Sequence, residues 1–291
     1  MSATKHGIAP IIDSAAVQAL QHIDGADVVI ADVRWYLDGR SGSAAYETGH
    51  VPGAIFVDLD HDLSDHSQPT SAGRHPLPTP EQFSAAMSRL GIGDDTVVIA
   101  YDDAGGSTAG RLVFMLRVIG HQAALLDGGL QAWTTALETG MSPTASAAEV
   151  RGTVFTTVEW PKERFATADD LANASAERVV LDARAADRFR GENEVVDPSA
   201  GHIPFARNAP WGANIVQPGG RFKPVEALRE QFRALGVDSD TAVTCYCGSG
   251  VSACNDLLVL EHIGVTDTRL FVPSWSGWSA DPARPIATGD A

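Results

Sequence analysis

A cysteine-containing loop carries the residues best suited to chemistry. An apolar run leads to Cys247, and the residues that follow it are small: Gly248, Ser249, Gly250, Val251 and Ser252. The pattern predicts a strand, a tight loop and a helix over Ala253–Ile263 that ends at Gly264, a residue type that often terminates helices. The two glycines allow the loop to curl so that several amide N–H groups point at one atom. Together with the helix N-terminus, such amides favour a negatively charged nucleophilic sulfur. The alternative is a strand-to-helix turn that holds a merely buried cysteine.

The elements around this loop belong to an internal repeat. Four segments of the first half recur in the same order in the second half, 145 to 152 positions later. The pairs are Val28–Arg34 with Val179–Arg184, Gly49–Ala54 with Gly201–Ala206, Val97–Asp102 with Ala242–Cys247, and Leu126–Trp133 with Phe271–Trp278. Ordered matches of this kind indicate two copies of one domain, in which Asp102 takes the place of Cys247. We predict an N-terminal domain at 1–139 that lacks the cysteine, a linker at 140–164 and a catalytic domain at 165–291.

Each copy alternates short apolar runs with helix-like runs such as Pro80–Met87 and Val225–Phe232. This alternation predicts an α/β fold, with a parallel sheet and helices on both of its faces in each copy. Ligands of such sheets bind at the carboxyl ends of the strands, which is where Cys247 is expected.

Charge and cysteine content narrow the class of protein. The 291-residue chain has a formal net charge of −16, which argues against nucleic acid and anionic membranes as partners. Three cysteines are too few for a disulfide framework, and we expect Cys245 and Cys254 to be core thiols. The chain shows no second cluster of metal-ligating residues and no apolar signal sequence near Met1, so we expect no metal and a cytoplasmic location.

Together these motifs resemble the two-domain rhodanese-like sulfurtransferases. The resemblance runs from about Ile12 to Ile286 and includes both Gly-His-(Val/Ile)-Pro motifs, the Leu-Asp-Gly-Gly-Leu segment and the final Ser-Trp-Ser-Gly-Trp. The cysteine loop looks like that of the 3-mercaptopyruvate branch, since thiosulfate-using relatives typically carry basic residues where this chain has Gly248 and Ser249. The resemblance implies two tandem rhodanese-like domains and a persulfide on Cys247. Sulfur would pass from 3-mercaptopyruvate to cyanide or to a thiol such as a reduced thioredoxin-like protein, without a cofactor.

The resemblance also implies a proton relay beside the cysteine. Ser249, His75 and Asp60 match its serine, histidine and aspartate, although His61 and His66 are alternatives to His75. A histidine held by a carboxylate is suited to move the proton that quenches an enolate product.

Substrate binding is implied for Arg188 and for the loop residues Gly248, Gly250, Val251 and Ser252. A guanidinium suits a carboxylate or thiosulfate, with Arg190 as the alternative to Arg188. The chain departs from the mercaptopyruvate pattern where a second arginine is usual, because it has Glu194-Val195-Val196-Asp197-Pro198 there. Arg207 is one candidate for the missing cation.

Three other functions compete. Thiosulfate:cyanide sulfur transfer would use the same nucleophile. A cysteine-dependent phosphatase needs an arginine six residues after the cysteine, where this chain has Ala253. A non-catalytic sulfur-carrier or binding module would keep the fold without needing the intact Cys247 loop.

Overall fold

The computed structural model describes residues 7–133, 136–140, 153–172, 178–218 and 220–290. The chain forms two compact units, and neither is continuous in sequence. The first unit consists of Met1–Ser64, Pro78–Trp160 and Gln217–Phe222. The second unit consists of Asp65–Leu77, Pro161–Val216 and Lys223–Ala291. Residues 141–152 of the predicted linker lie outside the described residues, and the predicted domain boundaries remain a prediction.

The strands are short and mostly buried. In chain order they are β1 (Ile11–Ile12), β2 (Val28–Asp32), β3 (Ile55–Phe56), β4 (Val97–Tyr101), β5 (Ala123–Leu126), β6 (Arg178–Asp182), β7 (Arg207–Asn208), β8 (Ile215–Val216), β9 (Arg221–Phe222), β10 (Ala242–Tyr246) and β11 (Thr268–Leu270). The first unit holds a parallel sheet of order β1-β5-β4-β2-β3, and the second holds a parallel sheet of order β11-β10-β6-β7.

Helices flank both sheets. They are α1 (Ser14–Gln21), α2 (Gly42–Thr48), α3 (Leu59–Asp62), α4 (Pro80–Arg89), α5 (Ala109–Val118), α6 (Gly129–Ala132), α7 (Ala168–Ala172), α8 (Ala186–Arg190), α9 (Val225–Ala234), α10 (Ala253–Ile263) and α11 (Ser274–Trp278). Single 3₁₀ turns occur at Thr70–Ala72, Lys162–Arg164 and Trp211–Asn214. The predicted α/β class with two parallel sheets is confirmed.

The helix after the cysteine loop has the predicted bounds. It runs over Ala253–Ile263, and Gly264 follows it at φ +100° in the left-handed region that favours glycine. The strand before the loop is the centre of its sheet, because β10 pairs with β6 on one side and β11 on the other. Cys247 therefore lies just beyond the carboxyl end of a central buried strand, as the sequence predicts.

The internal repeat is visible in matching contacts. In the first unit Arg34 forms a buried ion pair with Asp32 at 2.7 Å and donates to the carbonyl of Gly49 at 2.8 Å. The same contacts recur in the second unit, at 2.6 and 2.7 Å, between Arg184, Asp182 and Gly201. The repeated Asp-x-Arg and Gly-His motifs thus join the end of a central strand to a neighbouring loop.

Among the described residues, no helix combines the length and apolar character needed to cross a membrane.

Candidate active site

Helix α11 holds the loop after β10 by hydrogen bonds to two of its carbonyl groups. The amide of Trp275 donates to the carbonyl of Cys247 at 2.9 Å, and the amide of Ser276 donates to that of Gly248 at 2.9 Å. The amide of Cys247 in turn donates to the hydroxyl of Ser274 at 3.2 Å. The final Ser-Trp-Ser-Gly-Trp motif therefore fixes the direction in which the loop leaves the sheet, a task that the sequence analysis did not assign to Ser274.

Gly250 is required at its position for two reasons. Its φ of +78° lies in the left-handed region, and a Cβ added there would lie 2.5 Å from the carbonyl oxygen of Val272. This close approach to the backbone allows the loop to curl over the end of the sheet.

The equivalent loop of the first unit shows what this curl does. The Asp102 carboxylate accepts backbone N–H bonds of 2.8 to 2.9 Å from four residues: Ala104, Gly106, Thr108 and Ala109. The hydroxyl of Thr108 adds a fifth hydrogen bond at 3.0 Å. A loop of this kind is thus a nest of inward-facing amides that holds a negative charge.

Cys247 stands at the Asp102 position of its own loop. The same offset of 145 residues places Ser249 and Val251 where Ala104 and Gly106 stand in the first unit. Within the part of the chain that the structure describes, the amides of Ser249 and Val251 donate to no protein acceptor. These N–H groups are available to an anion on the sulfur of Cys247.

His75 joins this loop through Ser249. Its Nδ1 lies 2.8 Å from the Ser249 hydroxyl oxygen, and both side chains are buried. His66 packs edge-on against His75 with ring centroids 5.9 Å apart, whereas His61 belongs to the first unit and pairs with Asp62 at 2.8 Å. His75 is therefore bonded directly to a residue of the cysteine loop.

The segment that carries His75 is fixed by glycine contacts with α11 and the residue before it. A Cβ on Gly73, at φ +88°, would lie 2.5 Å from the carbonyl oxygen of Pro273, and one on Gly277 would lie 2.7 Å from that of Ser71. The amide of Arg74 donates to the Ser276 hydroxyl at 3.1 Å. The two backbones can approach this closely because Gly73 and Gly277 have no side chains.

Asp60 lies in α3 of the first unit. Its Oδ2 accepts a hydrogen bond from the indole N–H of Trp35 at 2.8 Å. Its assignment to the relay therefore remains a prediction from the resemblance.

Arg188 lies within a chain of alternating charges. It forms ion pairs with Glu194 at 2.8 Å and with Asp197 at 3.1 Å, and Arg184 contacts Glu194 at 3.4 Å. Burial raises the pKa of Asp197, and this outweighs the opposing attraction of Arg74 and Arg188. Burial also acts to raise the pKa of Glu194, but hydrogen bonds from Arg188 and two amides outweigh it and lower that pKa.

Arg74 is a residue of this site that the sequence analysis missed. It forms an ion pair with Asp197, and its guanidinium lies against the cysteine loop. A Cβ placed on Gly248 would lie 2.9 Å from Nη2 of Arg74 and 3.6 Å from Nη1 of Arg188. Two cations thus lie beside the residue after Cys247, and a larger side chain there would displace the end of the Arg74 side chain.

Arg207 does not take the place of the missing cation. It donates to the carbonyl of Leu235 at 2.5 Å and lines a separate cavity of about 820 Å³. The second cation beside the loop, next to Arg188, is Arg74. It directly precedes His75 in the sequence and lies on the same segment.

The three cysteines are free and buried. Burial raises the pKa of Cys245 well above its usual value, so its thiol stays neutral, and the Cys254 thiol donates to the carbonyl of Gly250 at 3.4 Å. Cys247 itself is only 1% exposed. Among the described residues, no group of three or more His, Cys, Asp and Glu side chains is placed to hold a metal ion.

Comparison with known proteins identifies the family to which the chain belongs. The family described as the rhodanese-like domain matches residues 15–136 and again residues 167–281. The chain therefore belongs to the rhodanese-like family and carries two of its domains in tandem.

Relatives along nearly the full length define the class of enzyme. The chain is 39% identical to the "Probable 3-mercaptopyruvate sulfurtransferase" of Pseudomonas aeruginosa, over 94% of this chain and 97% of that protein. It is 42% identical to a Mycobacterium tuberculosis protein provisionally named as the thiosulfate sulfurtransferase SseB, over 92% and 93%. The crystal structure of the 3-mercaptopyruvate enzyme SseA from Escherichia coli superposes with a TM-score of 0.75 at 32% identity, over 92% of this chain and 99% of that one. The chain is a sulfurtransferase of the 3-mercaptopyruvate/thiosulfate group.

Proposed function

We propose that the protein transfers sulfur from 3-mercaptopyruvate to a thiol or cyanide through a persulfide on Cys247. The observation that carries this choice of donor is the buried 2.8 Å hydrogen bond between Ser249 and His75. This bond connects a histidine to the cysteine loop. A histidine there can supply the proton that the enolate product of 3-mercaptopyruvate needs.

In the first half-reaction, Cys247 acts as a nucleophile. Its thiolate attacks the sulfur of 3-mercaptopyruvate, an S–S bond forms and the carbon–sulfur bond of the donor breaks. The electron pair of that bond leaves on the methylene carbon as the enolate of pyruvate. The proton that Cys247 gave up on ionising returns to this carbon through Ser249 and His75, and the enzyme is left as a persulfide.

The loop amides support the charge during this step. By the 145-residue offset, Ser249 and Val251 correspond to Ala104 and Gly106, whose amides bind the Asp102 carboxylate in the first unit. Donors oriented in advance stabilise developing charge without reorganising. With Gly248, Gly250 and Ser252, they form the wall of the persulfide pocket.

In the second half-reaction, the sulfur leaves to an acceptor. A thiolate or cyanide attacks the outer sulfur of the persulfide, the S–S bond breaks and the Cys247 thiolate is regenerated. The scheme predicts ping-pong kinetics. The free thiols suit a reducing compartment such as the cytoplasm, where a reduced thioredoxin-like protein is a suitable acceptor.

Thiosulfate is the second candidate donor. It is favoured by the name of the Mycobacterium tuberculosis relative and by the aspartate at position 197, where the mercaptopyruvate pattern has an arginine. Attack on the outer sulfur of thiosulfate releases sulfite, which leaves without needing a proton at carbon. The two donors therefore differ in their need for Ser249 and His75.

Steady-state kinetics of Ser249→Ala and His75→Gln with both donors test the proposal. We expect kcat/KM for 3-mercaptopyruvate to fall about 100-fold in each variant, since proton transfer by a positioned side chain contributes on this order. The value for thiosulfate should change by less than about threefold, because its leaving group is already stable as an anion. Wild-type kcat/KM should also be higher with 3-mercaptopyruvate.

His61→Gln is the control, because this exposed histidine is paired with Asp62 in the first unit. It should leave both donors unaffected. Equal losses for the two donors in the Ser249 and His75 variants would contradict the relay. A wild-type preference for thiosulfate would support the second candidate, and turnover of neither donor would indicate a binding module.

A further inference from the structure

Two arginines and one buried carboxylate form a closed group beside Cys247. The Asp197 side chain is only 2% exposed and lies between Arg74 and Arg188, whose side chains are 31% and 18% exposed. The same two guanidiniums lie against Gly248, the residue that follows the nucleophile. The carboxylate is thus held on the buried side of two cations that reach the solvent.

The charges cancel in the wider network to which this group belongs. In that network Arg74, Arg184 and Arg188 alternate with three carboxylates: Asp182, Glu194 and Asp197. In a chain with a formal charge of −16, an anionic donor therefore meets no uncompensated cation in this network as it stands. Binding a carboxylate here requires that an arginine exchange or share its present partner.

We infer that Arg74 and Arg188 form the binding site for the carboxylate of the donor, and that Asp197 occupies this site until the donor displaces it. Arg74 thereby supplies the second cation that the usual arginine at position 197 would have supplied. The inference deepens the proposed function and rests on it, because it names the group that recognises the donor's carboxylate.

The position of Asp197 makes this exchange chemically reasonable. The Asp197 side chain and the donor present the same chemical group, a carboxylate. Arginine binds a carboxylate of either origin through paired N–H donors. The cost of burying Asp197 opposes its charged form, which offsets part of its attraction to the two guanidiniums.

Alkylation of Cys247 by iodoacetate and by iodoacetamide provides the test. The two reagents present the same reactive carbon, but only iodoacetate carries a carboxylate. We expect Asp197→Asn to raise the ratio of the iodoacetate rate to the iodoacetamide rate about tenfold, and Arg74→Gln to lower it by a similar factor. In the double variant the gain from Asp197→Asn should shrink to less than about threefold, because one of its two cations is gone. The rates are measured at the Cys247 peptide by mass spectrometry.

Glu192→Gln is the matched control. It removes one negative charge from the same segment, but Glu192 pairs with the half-buried Arg190 at 2.7 Å and not with Arg74 or Arg188. It should leave the ratio unchanged. Equal ratios in the Glu192 and Asp197 variants, or an unchanged ratio in Arg74→Gln, would overturn the inference.

The KM for 3-mercaptopyruvate should follow the same order, falling in Asp197→Asn and rising in Arg74→Gln with a smaller change in kcat. Alkylation does not depend on sulfur transfer. Shifted ratios in a protein that does not use 3-mercaptopyruvate would therefore leave the anion site standing and contradict only the proposed donor.

Discussion

At the scale of single residues, the two loops of the repeat hold different groups in similar surroundings. In the first unit the position is filled by Asp102, whose carboxylate satisfies four backbone amides. In the second unit it is filled by Cys247, and the amides of Ser249 and Val251 have no protein acceptor in the described part of the chain. The first loop thus holds its own anion, whereas the second is the one for which we propose an anion on sulfur.

This difference predicts a stability effect for Asp102→Ala. Removing the carboxylate leaves several buried amides without an acceptor, which costs about 1–3 kcal/mol for each unsatisfied group before the loop relaxes. We expect the free energy of unfolding, measured by urea titration, to fall by at least about 2 kcal/mol.

Asp102→Asn is the matched control, because it keeps one acceptor oxygen and should lose less stability. Sulfur transfer per folded molecule should persist in both variants. A free energy of unfolding within about 0.5 kcal/mol of the wild-type value in Asp102→Ala would show that the amides do not depend on this carboxylate.

At the scale of elements, the site is a strand end clamped by a short helix. The central strand β10 leads to Cys247, α11 holds the carbonyls of Cys247 and Gly248, and α10 begins after the loop. Gly250 makes this geometry possible, because its backbone is left-handed and touches the carbonyl of Val272.

We therefore expect Gly250→Ala to be costly in stability and in turnover. A left-handed backbone costs a non-glycine residue about 1–2 kcal/mol, and the contact with Val272 adds about 1–3 kcal/mol of steric strain. Gly264→Ala is the comparison, since Gly264 is also left-handed but a Cβ there would meet no atom within 4 Å. Urea unfolding and kcat/KM should separate the two: Gly264→Ala should lose only the backbone cost and keep its activity. Equal losses of stability would show that the contact with Val272 is not limiting.

The elements also show which parts of the site were accessible from sequence. The helix Ala253–Ile263 and the strand Ala242–Tyr246 follow from apolar runs and a terminal glycine, which are local signals. The segment that carries Arg74 and His75 has no such period. It is positioned by contacts with Pro273 and Ser276, about 200 residues away in the sequence. Only the resemblance pointed to His75, and nothing in the sequence pointed to Arg74.

At the scale of the whole molecule, the duplication was readable because its motifs are structural. The Asp-x-Arg and Gly-His pairs recur because each copy needs the same ion pair and the same carbonyl contact at the end of its sheet. The assignment of chain segments to the two units could not be predicted from the sequence. Asp65–Leu77 belongs by sequence to the first copy, yet it packs in the second unit and there supplies His75.

The acidic character of the whole chain also extends to the surroundings of the cysteine loop. The chain is strongly acidic, and the arginines beside the cysteine loop are all paired with carboxylates. The expectation from sequence was that Arg188 binds the substrate, with Arg207 as one candidate for a second cation. In the structure Arg74 lies beside Arg188 at Gly248, and the segment that carries Arg74 is positioned by contacts that no local pattern encodes.

The central claim is that sulfur rests on Cys247 between the two half-reactions. Its most direct test is mass spectrometry of the protein after incubation with 3-mercaptopyruvate and removal of small molecules. The account predicts a mass increase of one sulfur atom, with fragment ions that place it between Tyr246 and Gly248, and no increase in Cys247→Ser. Sulfur on Cys245 or Cys254 instead, or turnover that persists in Cys247→Ser, would contradict it.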